Sequence, residues 1–391
     1  MIGCTKLICG QATVSDIIKY GQKTNGLPAN MLQFSSNSAP IVVWNVTKQC
    51  NLFCRHCYIT ADNTGLADEL STVEAKVFID DLAKIKVPVL LFSGGEPLLR
   101  ADIFELAQYA ARRGLRPVLS TNGTLIDCQT AERINKAGFQ YVGVSIDGDR
   151  RSHDHFRGRE GAFDLALAGI RNSLAAGNKT GIRFTINKLN YHTLPEILAL
   201  VEREKINRFC MYHLVYAGRA KEMADLDTTP DQKNKIIEFL IEKTLDFARR
   251  GVETEILTTD NHADGIRILQ YFEHHQPERV PEIRELLAMH GGCSAGQKMA
   301  NVDPRGDVHA CQFWGHKSLG NVRQTPFSTI WTTGQNEFLA ALREKDRKLA
   351  GRCGECRYKT LCGGCRIRAE AVSGNIWGED PACYLTEWKE Q

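Results

Sequence analysis

The chain lacks any apolar run long enough to cross a membrane. Its longest uncharged apolar runs, such as VPVLLF at 87–92, are far shorter than the roughly 20 residues that a membrane-spanning helix needs. The opening MIGCTKLICGQATVSD has no continuous apolar segment of signal-peptide length, and Ile8 before Cys9 disfavours a lipoprotein cleavage site. We therefore expect a cytoplasmic protein that makes no membrane contact.

The sequence also lacks a charge excess of either sign. Its 49 Lys and Arg residues are interspersed with 46 Asp and Glu residues, which leaves a formal net charge of +3. Nucleic-acid-binding proteins usually gather basic residues into a patch or stripe. We therefore expect no nucleic-acid partner.

Length and hydrophobic content predict more than one domain. With 391 residues, of which 43% are hydrophobic, the chain exceeds the size at which a single core stops growing. One large domain and one smaller domain are therefore expected.

Strand-like and helix-like segments alternate through the first two thirds of the chain. Continuous apolar runs predict strands at IVVWNVT (41–47), VPVLLFSG (87–94), RPVLST (116–121), FQYVGVSID (139–147), GIRFTIN (181–187) and NRFCMYHLVY (207–216). A helix pattern follows most of them, and the one at 71–85 opens with Ser71 and Glu74, the spacing of a capping box.

This alternation predicts an α/β fold with a parallel sheet buried on both faces. A doubly wound sheet and a barrel both satisfy the pattern, but six units with polar residues after the strands favour a partial (β/α)6 TIM-like barrel. The predicted domains are an N-terminal extension (1–40), the barrel (41–250), a connector (251–292) and a small Cys-rich domain (293–391). We expect metal to hold this last domain together.

Fourteen cysteines are many for a cytosolic chain. Since a reducing compartment disfavours structural disulfides, clustered cysteines there point to metal binding or catalysis. Ten of them form two groups. The other four are expected to be small buried hydrophobic residues: Cys4, Cys9, Cys128 and Cys210.

The first group is Cys50, Cys54 and Cys57, directly after the first predicted strand. Three thiolates suit a zinc knuckle with a distant fourth ligand. His56, within the same loop, more simply shapes the loop than binds the metal. The three thiolates also suit a cubane iron-sulfur cluster, in which one iron would lack a protein ligand and could bind a substrate.

Short polar motifs follow the next three strands: Ser93-Gly94-Gly95-Glu96-Pro97, Ser120-Thr121-Asn122-Gly123 and Ser145-Ile146-Asp147-Gly148. As isolated motifs they are ordinary turns and helix caps. Glycines at such a turn also allow a ligand to approach the backbone closely.

The CX3CX2C spacing followed by Tyr58, together with GGEP after the second strand, resembles the radical S-adenosylmethionine superfamily. The resemblance implies a 4Fe-4S cluster whose open iron binds S-adenosylmethionine, and reductive cleavage to a 5'-deoxyadenosyl radical. No catalytic side chain beyond this cluster is assigned. The implied cofactor contacts are Tyr58, Gly94, Gly95, Glu96, Ser120, Asn122, Ser145, Asp147 and Arg157.

The second group resembles the SPASM extension of radical enzymes, which binds auxiliary iron-sulfur clusters. The resemblance implies that Cys353, Cys356, Cys362 and Cys383 hold a distal cluster, and that a proximal cluster has only the three thiolates Cys293, Cys311 and Cys365. One departure is that Cys362 and Cys365 are separated by two residues instead of three. The proximal cluster would need a non-cysteine ligand, an open iron, fewer irons, or Cys4 or Cys9. A zinc ribbon built from the two CX2C pairs is the alternative.

Spacing does not identify the substrate. MIGCTKLICG, LPANMLQFSSNSAPIVVWNVTKQCNLFCRHCY and the C-terminal cysteines resemble the tetrapyrrole-modifying radical enzymes of the alternative haem pathway and the nitrite-reductase haem pathway. This implies removal of acetate side chains from the iron-tetrapyrrole 12,18-didecarboxysirohaem to give Fe-coproporphyrin III, with a low-potential electron donor such as ferredoxin or flavodoxin. Alternatives are another tetrapyrrole side chain, a peptide substrate or a non-catalytic electron carrier.

A substrate with several carboxylates needs cationic anchors, and an iron macrocycle can meet aromatic or imidazole groups. The candidates are Arg157, Arg159, Arg183 and Arg219 for the carboxylates, and Tyr212, His213 and Tyr216 for the macrocycle or its iron. For the aromatic and imidazole side chains, packing in the core or at the rim is the simpler expectation.

Overall fold

A computed structural model describes residues 1–10 and 39–389. Most of the predicted N-terminal extension, including all of the LPANMLQFSSNS segment (27–38), lies outside these residues. Ten strands are found in the described part: β1 (Ile41–Asn45), β2 (Val89–Ser93), β3 (Arg116–Thr121), β4 (Val142–Ser145), β5 (Thr180–Ile186), β6 (Arg208–His213), β7 (Glu255–Thr259), β8 (Met299–Val302), β9 (Asp307–His309) and β10 (Gly320–Asn321).

All ten strands form one sheet in the order β10-β9-β8-β1-β2-β3-β4-β5-β6-β7. The strands from β8 to β7 pair in parallel, whereas β9 and β10 are antiparallel additions at one end. Each of the six predicted strands is present. Four of the observed strands are two to five residues shorter than predicted, and β3 and β5 have the predicted length. The predicted α/β fold with a parallel sheet is confirmed.

Helices cover the outer face of the sheet. They are α1 (Cys4–Cys9), α2 (Thr72–Lys84), α3 (Ile103–Arg112), α4 (Cys128–Lys136), α5 (Arg150–Arg157), α6 (Ala162–Ala175), α7 (Leu194–Arg203), α8 (Pro230–Arg249), α9 (Ala263–His275), α10 (Val280–His290), α11 (Phe327–Thr332), α12 (Glu337–Arg343), α13 (Gly351–Glu355) and α14 (Arg366–Ser373). The predicted capping box is present at the start of α2, where Ser71 accepts from the Glu74 backbone N–H.

The sheet curls into a partial barrel. Side chains from strands far apart in the sheet order, such as Val43 on β1 and Tyr212 on β6, line one inner cavity of about 840 Å³. Two strands at such distant positions can share a cavity only if the sheet bends around it. We call this space the lumen.

The sheet has two parallel strands that the sequence did not predict. The segment 251–292, predicted as a connector, contains β7, which pairs with β6, and the helices α9 and α10. The Cys-rich region contributes β8, which pairs with β1 at the other side. The outer edge of β7 is partly covered by an antiparallel bridge from Ile2 to Thr258.

Candidate functional site

The carboxyl ends of the barrel strands surround a cavity of about 950 Å³, including its open mouth. We call it the strand-end cavity. Parallel strands deliver the residues that follow them to the same edge of a sheet, which is where α/β enzymes bind ligands. The structure brings together here three loop cysteines and most of the predicted cofactor contacts: Cys50, Cys54, Cys57, Tyr58, Gly94, Gly95, Ser120, Asn122, Ser145 and Arg157.

Each of the three loop sulfurs has a nitrogen donor in contact. The Leu52 N–H lies 3.5 Å from Cys50 Sγ, and the Ala61 N–H lies 3.3 Å from Cys57 Sγ. Arg157 Nη1 lies 3.5 Å from Cys54 Sγ. Hydrogen bonds to cysteine sulfurs stabilise the thiolate form that iron-sulfur clusters require.

The three loop cysteines line one cavity, as the thiolates of a shared iron-sulfur cluster must. In the described residues, no three His, Cys, Asp or Glu side chains converge closely enough to hold a single metal ion. The thiolates of a cubane bind different irons and are therefore farther apart. Burial raises the pKa of the Cys50 thiol to about 12, so the positive charge of iron is needed to keep this sulfur deprotonated at neutral pH.

Two predicted cofactor contacts, Glu96 and Asp147, lie behind the cavity wall. The Glu96 carboxylate is fully buried and accepts from Thr121 Oγ1 at 2.7 Å and from the Asn122 N–H at 2.8 Å. Burial raises the pKa of this carboxyl to about 7. Asp147 is equally buried, and it forms an ion pair with Arg157 and accepts from the Thr185 N–H at 2.5 Å. Both carboxylates fix the backbone or side chains that do line the cavity.

Asn122 links the cysteine loop to the end of β3. Its side-chain amide donates to Asn51 Oδ1 at 2.8 Å, and Asn51 in turn donates to Thr124 Oγ1 at 2.9 Å. The loop that carries the cysteines is therefore held by the motif that follows the third strand.

Sequence reasoning took His56 as a residue that shapes the cysteine loop, with metal ligation as the alternative, and it assigned no role to Asp260. His56 lines the cavity and stacks on Phe156 at 4.2 Å between ring centroids; burial and the neighbouring Arg157 hold its pKa well below the usual range, so it is neutral. Asp260 lines both the strand-end cavity and the lumen, and has φ +69°. That left-handed backbone is uncommon for a residue other than glycine. The sequence position of His56, between Cys54 and Cys57, indicates that it lies at this site. No sequence feature indicated a position for Asp260, because β7 was not predicted.

Four C-terminal cysteines surround a separate small cavity: Cys353, Cys356, Cys362 and Cys383. The Asp380 N–H lies 3.4 Å from Cys353 Sγ, and the Tyr358 N–H lies 3.4 Å from Cys356 Sγ. This is the set that the sequence grouped as one cluster.

The remaining three C-terminal cysteines, Cys293, Cys311 and Cys365, are buried together in an apolar cluster that also contains Val215 and Trp314. Cys4 and Cys9 belong to the main core instead, or pack against it. The two C-terminal cysteine sites are adjacent, because the Cys293 N–H donates to the Cys362 carbonyl at 3.0 Å.

Of the four scattered cysteines, Cys4 and Cys210 are buried and Cys9 is partly buried. The expectation of burial is wrong for Cys128, which is exposed at the start of α4 and lies 3.5 Å from Asn172 Oδ1. Cys128 is the first residue of an amphipathic helix and lies on the face that is exposed to solvent.

The structure separates the candidate substrate residues. His213 lines the strand-end cavity, and its Nε2 lies 2.8 Å from Asp264 Oδ2. Tyr216 is buried outside the cavity lining and donates to Asp227 at 2.8 Å. Arg159 is exposed to solvent. Arg157, Arg183, Arg219 and Tyr212 line the strand-end cavity.

Two family models match the chain. Residues 44–201 match the radical SAM superfamily, and residues 293–357 match the iron-sulfur cluster-binding domain SPASM. Over 391 residues the chain is 48% identical to the Fe-coproporphyrin III synthase of Methanosarcina barkeri, an alignment that covers 99% of this chain and 98% of that protein. The chain belongs to the radical SAM superfamily. It is a radical SAM enzyme with an auxiliary iron-sulfur domain, and S-adenosylmethionine and iron-sulfur clusters are its cofactors.

A second relative is the pre-heme d1 synthase of Dinoroseobacter shibae, at 43% identity over 89% of this chain and 86% of that protein. Among solved structures, Streptococcus suis SuiB bound to S-adenosylmethionine superposes with a TM-score of 0.71 at 19% identity, covering 89% of this chain and 78% of SuiB. Native anSMEcpe with bound AdoMet gives a TM-score of 0.65 at 18% identity, covering 87% of this chain and 93% of that chain. At these identities the structural matches establish the radical SAM fold alone.

Proposed function

We propose that this radical SAM enzyme removes the acetate side chains of 12,18-didecarboxysirohaem and thereby forms Fe-coproporphyrin III. The observation that carries the proposal is 48% identity to an Fe-coproporphyrin III synthase along essentially the full length of both chains. The chain carries three cysteines for the first cluster and seven in the C-terminal domain, with the one spacing difference between Cys362 and Cys365. The strand-end cavity is large enough for a cofactor and part of a substrate.

In this proposal Cys50, Cys54 and Cys57 hold a 4Fe-4S cluster at the floor of the strand-end cavity. S-adenosylmethionine completes the cluster and lies against Gly94 and Gly95. When bound, these groups supply hydrogen-atom abstraction from an unactivated carbon. Both glycines line the strand-end cavity. They also let the segment that leads into Cys50 pack on this turn, because a Cβ at either position would collide with the backbone of that segment.

The remaining cofactor contacts divide into two layers. Tyr58, Ser120, Asn122, Ser145 and Arg157 line the cavity and would contact S-adenosylmethionine directly. Glu96 and Asp147 would act through Asn122 and Arg157, which they hold in place. A substrate bound in the mouth of the cavity would exclude water, which protects a reactive radical from quenching.

The C-terminal cysteines would hold auxiliary clusters. Cys353, Cys356, Cys362 and Cys383 form a complete set of four for a distal cluster, whereas Cys293, Cys311 and Cys365 give a proximal cluster three thiolates. A low-potential ferredoxin or flavodoxin would supply electrons. Such donors and free thiols are typical of the cytoplasm, and none of the described helices is long and apolar enough to cross a bilayer.

A second candidate function, in which a different side chain of the tetrapyrrole is modified, is favoured by the 43% identity to a pre-heme d1 synthase. In that case the enzyme would modify a propionate of the same class of tetrapyrrole instead of an acetate. The macrocycle and the cluster chemistry would be unchanged.

The test is an anaerobic incubation of the reconstituted enzyme with S-adenosylmethionine, reductant and either 12,18-didecarboxysirohaem or Fe-coproporphyrin III. We expect 5'-deoxyadenosine release, and mass spectrometry should show loss of two acetates from the first pigment and no change in the second. A Cys54→Ala variant serves as the control and should release none. Loss of propionate groups would favour the second candidate, and an unchanged pigment in both incubations would contradict the proposal.

A further inference from the structure

Arg183 lies where the strand-end cavity opens into the lumen. Four residues line both spaces, and we call them the throat: Arg183, Tyr212, Asp260 and Gln312. Arg183 and Tyr212 are on the adjacent strands β5 and β6. Asp260 directly follows β7, and Gln312 directly follows Cys311. A substrate that extends from the strand-end cavity into the lumen must pass these four side chains.

The sheet is built so that Arg183 reaches across it. The side chain starts on β5, crosses β4 at Gly143 and donates through Nη1 to Ser120 Oγ on β3. A Cβ on Gly143 would lie 2.9 Å from Arg183 Cδ, so a glycine is needed at the crossing point. The guanidinium also lies over the Tyr212 ring, 4.7 Å from its centroid. Three separate strands therefore fix the position of this one cation.

Arg183 has no acidic partner in the described part of the chain, since no Asp or Glu oxygen there lies within 4 Å of its guanidinium. Of the other three arginines of the two cavities, two have an acidic partner and the third donates to backbone carbonyls. Arg157 pairs with Asp147, and Arg208 pairs with Glu255 at 3.1 Å. Arg219 donates to the carbonyls of Cys54 at 2.8 Å and Ala61 at 2.9 Å.

This partly buried cation has no carboxylate in contact with it among the described residues. Removing a charge from bulk water is costly unless an opposite charge or several hydrogen bonds compensate. A guanidinium has five N–H donors in a planar fork, and Ser120 uses one of them. The fork matches a carboxylate in bidentate geometry.

We propose that Arg183 is the anchor for a carboxylate of the substrate, and that this contact positions the macrocycle in the throat above the cluster. This inference rests on the proposed function, because it needs a substrate with several carboxylates. The bound carboxylate supplies the missing counter-charge. Because a single fixed cation receives it, the contact also decides which substrate carbon faces the reacting centre.

The test compares Arg183→Gln and Arg183→Lys with the wild-type enzyme, and Arg159→Gln is the matched control because Arg159 is exposed. Binding of 12,18-didecarboxysirohaem is measured by visible absorbance titration without reductant, so that no turnover occurs. We expect Arg183→Gln to weaken substrate binding by about 30-fold or more, with partial recovery in Arg183→Lys and less than about 2-fold change in the control. S-adenosylmethionine binding, measured by equilibrium dialysis, should stay within about 2-fold in all variants.

A second comparison keeps Arg183 in place. The substrate with all its carboxylates methylated should bind the wild-type enzyme at least as weakly as the free acid binds Arg183→Gln. Gly143→Ala should also weaken binding of the free acid, because the added methyl group displaces the arginine side chain. If Arg183→Gln binds the free acid as tightly as wild type, or if wild type does not distinguish acid from ester, the anchor is contradicted. Equal loss of S-adenosylmethionine binding would also contradict it, since Arg183 would then serve the cofactor. Turnover by wild-type enzyme reports separately on the proposed function; a wild type that binds no tetrapyrrole overturns both.

Discussion

Gly95 shows how closely single residues are packed behind the cysteine loop. Its N–H donates to the Thr47 carbonyl at 2.8 Å, and the next N–H, that of Glu96, donates to the Gln49 carbonyl at 2.8 Å. Two backbone segments therefore run in contact, with the one that carries Cys50 directly above the GGEP turn. The glycine is required for this approach and not for an unusual φ angle.

Gly95→Ala should destabilise the site by about 2 kcal/mol or more. The new Cβ would lie 2.1 Å from the Gln49 carbonyl oxygen, and the obstructing atoms are backbone and cannot turn away. We expect fewer irons per chain at the first cluster and at least about 10-fold weaker S-adenosylmethionine binding. Iron analysis, equilibrium dialysis and anaerobic urea unfolding measure these effects.

Gly315→Ala is the control for this change, because a Cβ there meets no atom within 4 Å and the glycine has no left-handed φ. It should leave iron content and S-adenosylmethionine binding unchanged. A Gly95→Ala enzyme that behaves like this control would show that the loop and the turn are not in contact.

At the scale of elements, a buried ion pair joins the C-terminal domain to the barrel. Arg368 on α14 is fully buried and forms two 2.8 Å hydrogen bonds to Asp380. Arg368 also donates to the Leu214 carbonyl, just after β6, at 3.2 Å. Asp380 accepts from the Cys365 N–H at 2.7 Å, and its own N–H lies 3.4 Å from Cys353 Sγ. The ion pair therefore contacts both C-terminal cysteine sites.

Arg368→Met should cost about 3–5 kcal/mol of unfolding free energy, because it leaves the Asp380 carboxylate buried without its partner. The double variant Arg368→Met with Asp380→Asn should recover part of this loss, since no unpaired charge remains. Anaerobic urea unfolding of the two single variants and the double variant gives the coupling energy. Independent, additive effects would show that the pair does not act as a unit.

At the scale of the whole molecule, the two domains share one sheet. β8 of the Cys-rich domain pairs with β1 of the barrel over four residue pairs from Ile41 to Trp44. Contacts on the outer face add to this: Phe327 on α11 packs on Phe78 of α2 at 6.2 Å between ring centroids, and the Ser328 N–H donates to Asp81 at 2.8 Å.

A chain truncated after residue 292 should therefore associate or precipitate. Removing β8 leaves β1, a strand of buried apolar residues, with an unpaired edge that can pair with another chain. Size-exclusion chromatography with light scattering should show large species for the truncated chain, with the full chain under the same conditions as the reference. A monomeric, folded 1–292 would show instead that the barrel is complete without β8.

The sequence by itself determined the local features of this enzyme. Six strands, the capping box of α2, the three loop cysteines and the motifs after the next three strands follow from residue types at short spacings, and parallel strands necessarily bring their following residues to one edge. That is why Cys50, Gly95, Ser120 and Ser145 could be predicted to meet.

Only the tertiary structure decided which strands lie side by side at the ends of the sheet and which charges find partners. The pairing of β8 with β1 joins segments more than 250 residues apart, and no local pattern encodes it. The same holds for Glu96 and Asp147, which lie behind the cavity wall. It also holds for Arg183, which crosses β4 to reach Ser120 and has no acidic partner within 4 Å among the described residues. The physical reason is that a side chain's partner depends on distant packing, whereas its residue type and spacing do not.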